Sequence, residues 1–308
     1  MIATLTLNPA VDKSTEVEQI IPEKKLRCSE MICEAGGGGI NVSKALCELG
    51  ADTISIFPYG GINGKLLVQL LEEKAIKINP VKINGSTRES IVVNETSTNR
   101  QFKFIMPGPS ISEEEMNKIT TVVKSLTDVS FLVCSGSLPP GIPDDFLAGI
   151  AKIVKEKGIK FIVDTSGEPL NKVLKQGVYL IKPNMSELCF LTGKKYIQTS
   201  EIEKAVDQLM NKNFCEVSVV SMGPSGAMVA TKDFKKRFPA PVVKKISTVG
   251  AGDSMLAGIA WMLEREKTLE EAIQFGIACG TAATINKGSQ LFKKQDALRL
   301  FEWMKDNS

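Results

Sequence analysis

The 308-residue sequence contains no histidine. This absence excludes serine and cysteine triads that use histidine as their general base, and it excludes histidine-ligated zinc. CxxC pairs are also absent, and the seven cysteines are an odd number, so we expect reduced thiols that are mostly buried as small apolar side chains. Any chemistry must therefore use carboxylates, cationic side chains, backbone amides and bound metal.

Long apolar runs and blocks of one charge are missing as well. No run approaches the ~18 apolar residues that span a bilayer, and no basic-then-apolar segment opens the chain. The 38 Lys and Arg residues nearly balance the 35 Asp and Glu residues. We therefore expect a cytoplasmic protein that binds neither membranes nor nucleic acid.

Short apolar runs alternate with amphipathic segments along most of the chain. The strand-like runs include 2–8, 53–58, 130–136, 160–166, 178–184 and 216–223, and the helix-like segments include 40–50, 64–75, 142–158 and 200–213. This alternation is typical of a parallel sheet that is covered by helices on both faces. The sequence therefore predicts an α/β fold with a mainly parallel central sheet.

Two segments interrupt this alternation. Residues 11–33 are polar and lack a helical period, and residues 86–106 contain two alternating stretches joined by the turn-like TSTN. We interpret both segments as a small β-sheet lid on a core of residues 1–10, 34–85 and 107–308. A sheet of this size exposes one apolar face, so the lid should cover a cleft or a partner subunit.

The segment TVGAGDSM, residues 248–255, precedes an apolar stretch with helical spacing. Gly250 and Gly252 permit close approach to the backbone, and the free N–H groups of a helix N-terminus favour an anion. We therefore predict a phosphate site here, with Asp253 as a candidate catalytic carboxylate. The alternative is that Asp253 only stabilises its own helix, by about 0.3–1 kcal/mol.

The segment AGGGGIN, residues 35–41, places four consecutive glycines before a helix. Each glycine costs about 0.5–1 kcal/mol relative to alanine, and no folding requirement for four of them is evident in the sequence. We therefore predict that the turn packs against a ligand. A polyhydroxylated ligand fits, because backbone amides and Asn41 can bond to hydroxyl groups.

Two further turns follow predicted strands, where ligands bind in α/β sheets. IKPNMSEL, residues 181–188, contains Lys182, Asn184 and Glu187. Asn184 and Glu187 can form a helix capping box, and Glu187 can also orient Mg²⁺-bound water. SMGPSGA, residues 221–227, is a second glycine turn or only a hairpin.

Four cationic residues lie in the two lid segments: Lys25, Arg27, Arg88 and Lys103. Individually, such residues are most often solvated surface charges. Together they indicate a phosphate clamp that closes over a cleft.

Four ordered motifs resemble those of the ribokinase-like (PfkB) family of sugar kinases: AGGGGIN, SGSLPPG (135–141), KPNMSE (182–187) and TVGAGDSM. The resemblance covers essentially the whole chain and implies a ribokinase-like three-layer αβα sandwich with a β-sheet lid. PEKKLRC (22–28) and FIMPG (104–108) narrow it to the subgroup that phosphorylates fructose 6-phosphate at its C1 hydroxyl with ATP, a glycolytic reaction. Tagatose-6-phosphate kinase and 1-phosphofructokinase activities are alternatives. A non-catalytic sugar-phosphate sensor is another, which the intact Asp253 disfavours.

The resemblance also implies roles for individual residues. Asp253, with an ordinary pKa of ~3.9, would be the base, and the amides of Gly250, Ala251, Gly252 and Asp253 would form the anion hole. The sugar phosphate would be bound by Asp12, Lys25, Arg27, Gly37, Gly38, Asn41, Arg88, Lys103 and Ser137. MgATP would be bound by Lys182, Asn184, Glu187, Ser221, Gly223, Gly226 and Thr281. A monovalent-cation loop for K⁺ would use Ser247, Val249, Ala283, Asn286 and Gly288.

The family resemblance implies ATP and a phosphorylated ketohexose as ligands, Mg²⁺ and K⁺ as cofactors, and a homodimer formed through the lid. Three positions depart from the family pattern: Lys103 and Gln290 stand where relatives often have arginine, and Ser186 where they often have lysine. Because lysine cannot make a bidentate phosphate contact, these departures affect the expected phosphate affinity and nucleotide-dependent inhibition more than the reaction.

Overall fold

The structure, a computed structural model, describes residues 1–212, 214–286 and 291–307. Within these residues the central sheet has nine strands, numbered along the chain: β1 (Ile2–Leu5), β4 (Thr53–Tyr59), β5 (Lys77–Lys82), β8 (Phe131–Ser135), β9 (Lys160–Asp164), β10 (Val178–Ile181), β11 (Cys215–Ser221), β12 (Ala227–Ala230) and β13 (Lys235–Phe238). Their spatial order is β13-β12-β11-β10-β9-β8-β1-β4-β5. Neighbouring strands are parallel except at β11–β12 and β12–β13, so the prediction of a mainly parallel sheet is confirmed.

Helices cover both faces of this sheet: α1 (Gly38–Glu48), α2 (Gly61–Glu72), α3 (Glu113–Lys124), α4 (Phe146–Glu156), α5 (Gly167–Leu174), α6 (Met185–Thr192), α7 (Ile202–Met210), α8 (Ala251–Glu264), α9 (Leu269–Thr284) and α10 (Lys294–Asp306). Successive strand residues point to opposite faces. Accordingly, Ile2 and Val133 belong to the core beneath α1, α8 and α9, whereas Ala3 and Leu132 belong to the core beneath α3 and α4. These two cores define the predicted three layers, helix–sheet–helix.

A second, smaller sheet contains β2 (Ala10–Val17), β3 (Ile32–Gly36), β6 (Arg88–Glu95) and β7 (Arg100–Ile105), in the order β3-β2-β6-β7. The hairpin predicted in residues 86–106 is formed by β6 and β7. Asp12 faces Ser90 and Lys103 faces Val92 across the strands. Because alternate residues share a face, Asp12, Arg88 and Lys103 lie on the same face of this small sheet. The exact division of the chain into core and lid stays a prediction.

The cysteines are free thiols, as expected, but the expectation that most of them are buried is wrong. Cys134, Cys215 and Cys279 are buried, Cys28 is exposed, and Cys33, Cys47 and Cys189 are partly exposed. The difference arises because only the three buried cysteines lie in the central strands or in α9. Among the described residues, no helix is both long enough and apolar enough to cross a membrane.

Candidate active site

Helix α8 begins at the carboxyl end of the central strands, and its first turn is open. Gly250 precedes the helix with φ of 71°, a conformation that favours glycine. Leu291 packs against Gly250 on one side, but Gly252 is exposed. In the described part of the chain, the amides of Gly252 and Asp253 have no acceptor. This helix tip can therefore bind an anion.

The carboxylate of Asp253 is held from two sides. Asn41 Nδ2 donates to Oδ2 at 3.0 Å, and Ser135 Oγ donates to Oδ1 at 3.1 Å. Burial, with a smaller contribution from the Asp164 carboxylate, raises the pKa of Asp253 to about 6, although both hydrogen bonds and Lys182 oppose the rise. Asp253 is thus ionised at neutral pH and is a stronger base than the ordinary aspartate expected from the sequence.

The four glycines of the AGGGGIN turn have close neighbours within the protein. Added Cβ atoms would lie 2.0 Å from Asp12 Oδ2 at Gly36, 2.8 Å from Thr6 Cγ2 at Gly37, 2.4 Å from Ser135 Oγ at Gly38 and 2.5 Å from Thr6 Oγ1 at Gly39. The interpretation that no folding requirement demands four glycines is therefore wrong. Close packing of the turn is what brings Asn41, in the first turns of α1, to Asp253.

Lys182 follows β10 and lies beside the tip of α8. Its Nζ is 3.2 Å from Asp164 Oδ2 and 3.3 Å from the position that a Cβ would take on Gly252. Burial lowers the pKa of Lys182, but the carboxylates of Asp164, Asp253 and Glu187 outweigh burial and raise it overall. A buried ammonium whose charge is stabilised by neighbouring carboxylates therefore stands next to the open amides.

The next turn carries the residues predicted for ATP. Asn184 and Glu187 form the expected capping box at the start of α6, and burial raises the pKa of Glu187 despite the hydrogen bonds it accepts. Ser221 lies beside Asn184 through a parallel bridge. The capping role is therefore present in the structure, and it leaves the carboxylate of Glu187 close to Lys182 and Asp164.

The turn at residues 221–227 connects the antiparallel strands β11 and β12, as the hairpin alternative predicted. Gly226 has φ of 87°, and a Cβ there would lie 1.9 Å from Phe238 O. Gly223 has φ of 58° and no neighbour within 4 Å of an added Cβ. The turn itself therefore explains Gly226, whereas the space at Gly223 is open.

The segments predicted to bind a monovalent cation meet near the start of α8. Ser247 N donates to Thr284 O at 3.1 Å, Val249 N donates to Ser247 Oγ at 3.2 Å, and Asn286 N donates to Ala283 O at 3.3 Å. Nearby, a Cβ on Gly280, the neighbour of Thr281, would lie 3.0 Å from Ala251 O. Four of the five predicted cation residues and Thr281 are thus close to the start of α8; Gly288 and Gln290 lie outside the described residues.

The residues predicted to bind the sugar phosphate gather around Asn8, which follows β1. Arg88 donates to Asn8 O through Nε at 3.2 Å and Nη2 at 3.1 Å. Asn8 Nδ2 donates to Ser137 Oγ at 3.1 Å. Asp12 is coupled electrostatically to Arg88, and burial raises its pKa. Arg88, Ser137 and Asp12 therefore lie close together beside the carboxyl end of β1.

Three predicted clamp residues are not drawn into this cluster. Lys25 and Arg27 lie in the exposed connection between β2 and β3, and Lys103 is exposed on β7. None of them forms an ion pair with another described residue. Lys103 nevertheless shares the sheet face of Arg88, as the strand register requires.

Sequence reasoning assigned no role to Ser135, Asp164 or Asn8, although each contacts a predicted site residue. Ser135 ends β8, Asp164 ends β9, and Asn8 follows β1. The signal that could have found them is common to all three, because each is a polar residue at the carboxyl end of a parallel strand, where ligands bind.

An open helix tip, an aspartate hydrogen-bonded from two sides and a buried lysine lie together at the strand ends, an arrangement that suits the transfer of a phosphoryl group. The family model for the "pfkB family carbohydrate kinase" matches residues 5–296. The chain belongs to this family of carbohydrate kinases.

Individual relatives extend over nearly the full chain. ATP-dependent 6-phosphofructokinase isozyme 2 of Escherichia coli K12 is 38% identical over 304 residues, covering 98% of each chain. Tagatose-6-phosphate kinase of Staphylococcus epidermidis RP62A is 36% identical and covers 91% of each. The crystal structure of E. coli phosphofructokinase-2 in complex with potassium has a TM-score of 0.95 at 38% identity, and the complex with fructose-6-phosphate a TM-score of 0.93 at 36%; each covers 99% of both chains.

Proposed function

We propose that this chain transfers the terminal phosphoryl group of ATP to the C1 hydroxyl of fructose 6-phosphate. The observation that carries the proposal is the Asp253 carboxylate, fixed by Asn41 and Ser135 in the same helix turn as open backbone amides. A base and an anion site so close together suit an alcohol that attacks a phosphoryl group. The relatives' names and their fructose-6-phosphate complex support this acceptor.

Each residue of the site has its own role in the proposed reaction. Asp253 accepts the proton of the attacking hydroxyl, while Asn41 and Ser135 keep its two oxygens oriented. The amides at the start of α8 and the ammonium of Lys182 stabilise the charge on the transferring group. Since the transition state of phosphoryl transfer is loose and spread in charge, such positioning and electrostatics supply most of the catalysis.

Mg²⁺ bound together with ATP would neutralise part of the charge on its phosphates. Mg²⁺ sites in kinases commonly use one or two protein carboxylates together with the substrate phosphates and water. Glu187 and Asp164 provide such oxygens, and the Asp164 charge contributes to the raised pKa of Glu187. A bound divalent cation would relieve the repulsion between these carboxylates, so the residues fit the ion.

A K⁺ ion is proposed for the segments that meet near the start of α8. Ser247, Val249, Ala283 and Asn286 offer hydroxyl, carbonyl and amide oxygens, which are hard ligands suited to a hard cation. The potassium complex of the E. coli enzyme supports this assignment. K⁺ would hold the segment that leads into α8, since Val249 directly precedes Gly250.

A homodimer through the small sheet is the proposed assembly, and the cytoplasm the proposed location. Five of the twelve exposed large apolar side chains among the described residues lie on this sheet or on the segment leading to β3: Leu26, Met31, Ile32, Phe104 and Ile105, of which Ile105 is 70% exposed. A second copy would cover this apolar surface. It would also bring the exposed Lys25, Arg27 and Lys103 near a cleft.

The experiment that tests the function measures ADP release with MgATP and three acceptors in parallel: fructose 6-phosphate, fructose 1-phosphate and tagatose 6-phosphate. The highest kcat/KM is expected for fructose 6-phosphate. Tagatose-6-phosphate kinase and 1-phosphofructokinase activities are the alternatives. Each would give its highest kcat/KM with its own acceptor.

The matched control for this assay is Asp253→Asn, which keeps the shape of the side chain but removes the base. We expect a kcat at least ~100-fold lower with near-normal folding and ATP binding. Turnover at the wild-type rate would contradict the role of Asp253. Sugar binding without ADP release by the wild type would instead indicate a sensor.

A further inference from the structure

Lys44 is a buried lysine to which the proposed reaction assigns no role. It lies on α1, three residues after Asn41, and is only 8% exposed. Its Nζ donates to Ala35 O at 3.0 Å, the one hydrogen bond that the described residues provide for it. Burying an ammonium group is costly unless its charge is compensated, so a lysine at this position calls for an electrostatic reason.

The hydrogen bond of Lys44 reaches the strand that supports Asp12. Ala35 lies on β3 next to Glu34, and Glu34 is directly opposite Asp12 in the sheet register. The Asp12 carboxylate itself rests over the backbone of Gly36, where a Cβ would be 2.0 Å from Oδ2. Lys44 therefore fixes the backbone on which the Asp12 side chain packs.

Charged groups from several elements face this position. Those interacting with Lys44 are Glu34, Lys74, Asp12 and Asp253, and Cys47 and Glu48 line the same 380 Å³ cavity. Burial lowers the pKa of Lys44. The three carboxylates oppose this lowering, and Lys74 adds to it.

The carboxylate of Asp12 has its own set of neighbours. Burial raises the pKa of Asp12, and Glu34 adds to the rise. Lys44 is the strongest influence that lowers it, ahead of Arg88 and a hydrogen bond from Ser90. Lys44 is thus the principal charge that favours an ionised Asp12.

We propose that Lys44 is a positioning residue for sugar binding: its Nζ fastens β3 to α1 through Ala35 O and places a positive charge near the Asp12 carboxylate that packs on β3. This inference deepens the proposed function and rests on it, because Asp12 is proposed there to hold sugar hydroxyls. An ionised carboxylate accepts hydrogen bonds from two hydroxyl groups, whereas a protonated one loses part of that capacity. Lys44 therefore acts on the sugar phosphate and leaves ATP binding unaffected.

Three substitutions separate the charge from the hydrogen bond. Lys44→Arg keeps both, Lys44→Gln keeps a donor for Ala35 O without the charge, and Lys44→Met keeps neither. Lys74→Met is the matched control, because Lys74 lines the same cavity and faces Glu34 but is half exposed. Each variant is prepared with ¹³C-labelled aspartate, and Asp12→Asn assigns the Asp12 carboxyl signal.

The readout is the pKa of Asp12 from the carboxyl ¹³C shift, together with KM for each substrate. In Lys44→Gln and Lys44→Met we expect a higher Asp12 pKa and a KM for the sugar phosphate about tenfold higher, with the KM for ATP unchanged. Lys44→Arg and Lys74→Met should retain the wild-type values. If Lys44→Met does not fold, Lys44→Gln decides the question.

Two results would overturn the inference: an unchanged Asp12 pKa in folded Lys44→Gln, or an equal rise of that pKa in Lys74→Met. The titration requires only folded protein. If the wild type phosphorylates none of the three acceptors, the proposed function fails, while the titration still shows whether Lys44 controls Asp12.

Discussion

Asn41 Nδ2 donates to Asp253 Oδ2 over 3.0 Å, although the two residues are 212 positions apart in the chain. The bond joins α1, whose first residues are Gly38 and Gly39, to α8, which carries the open amides. A substrate hydroxyl held near Asn41 is therefore held near the base as well. In the proposed reaction, this single side-chain contact links sugar binding to proton acceptance.

The first prediction concerns the pH dependence of turnover. Because the pKa of Asp253 is raised to about 6, the base becomes protonated as the pH falls through this value. We expect kcat at saturating substrates to decline toward low pH and to fall about tenfold per pH unit once Asp253 is protonated in the substrate complex. A kcat that stays constant down to pH 5 would contradict the assignment of Asp253 as the base. Measuring kcat avoids the titration of the sugar phosphate itself, which also occurs near pH 6.

The raised pKa of Asp253 also predicts that its charged carboxylate destabilises the folded protein. Since the folded pKa lies above the ordinary value of 3.8, the folded state binds the proton more tightly than the unfolded state. Asp253 therefore costs stability as the pH rises from about 4 through about 6. Asp253→Asn should be more stable than the wild type at pH 8, by up to about 3 kcal/mol, and not at pH 4. Urea unfolding at both pH values measures this difference, and equal effects at the two would contradict it.

Arg88 provides a prediction about specificity. Its guanidinium contacts Asn8 O and faces Asp12 on the side of the small sheet, away from the segments proposed for ATP. Arg88→Ala should raise KM for the sugar phosphate at least about tenfold and change KM for ATP little. Initial-rate kinetics with each substrate varied separately gives both values. Arg100→Ala, on the exposed β7, is the matched control, and equal increases in both KM values of Arg88→Ala would contradict the clamp.

Much of this fold follows from local patterns, and part of the site does not. Apolar runs such as 130–136 and 178–184 are long enough to identify central strands, and a glycine pair before an apolar segment identifies the start of α8. The contact between Asn8 and Arg88, by contrast, joins residues 80 positions apart. No periodicity within either segment records it, because the packing of the two sheets creates it.

The glycines show the same limit. Four glycines in sequence indicated a ligand contact, which stays a prediction, but the structure shows that Asp12, Thr6 and Ser135 already occupy the space where their side chains would be. A sequence records that space is needed and leaves open what fills it. The raised pKa of Asp253 was missed for a related reason, since burial at a strand end is a property of the assembled core.

Gly226 and Gly223 both have a positive φ, but only Gly226 is tightly surrounded by other atoms. A Cβ at Gly226 would meet Phe238 O at 1.9 Å with φ of 87°, whereas at Gly223 it would meet no atom within 4 Å. Gly226→Ala should therefore destabilise the protein by about 3 kcal/mol or more, and Gly223→Ala by about 1 kcal/mol, the cost of a positive φ alone. Thermal unfolding compares the two. Equal losses of stability would show that the contact with Phe238 relaxes freely.

The final prediction tests the assembly through Ile105, the most exposed of the apolar residues on the small sheet. A lysine there would place a charge within the proposed dimer contact, where desolvation opposes it. Ile105→Lys should shift sedimentation from a dimer to a monomer, whereas the exposed Ile62→Lys, on α2, should not. Because Lys103 and the β2–β3 connection would lose their neighbouring cleft, the monomer should also show a raised KM for the sugar phosphate. A wild-type chain that sediments as a monomer at all concentrations would refute the dimer, and a monomeric variant with unchanged KM would show that each cleft is complete within one chain.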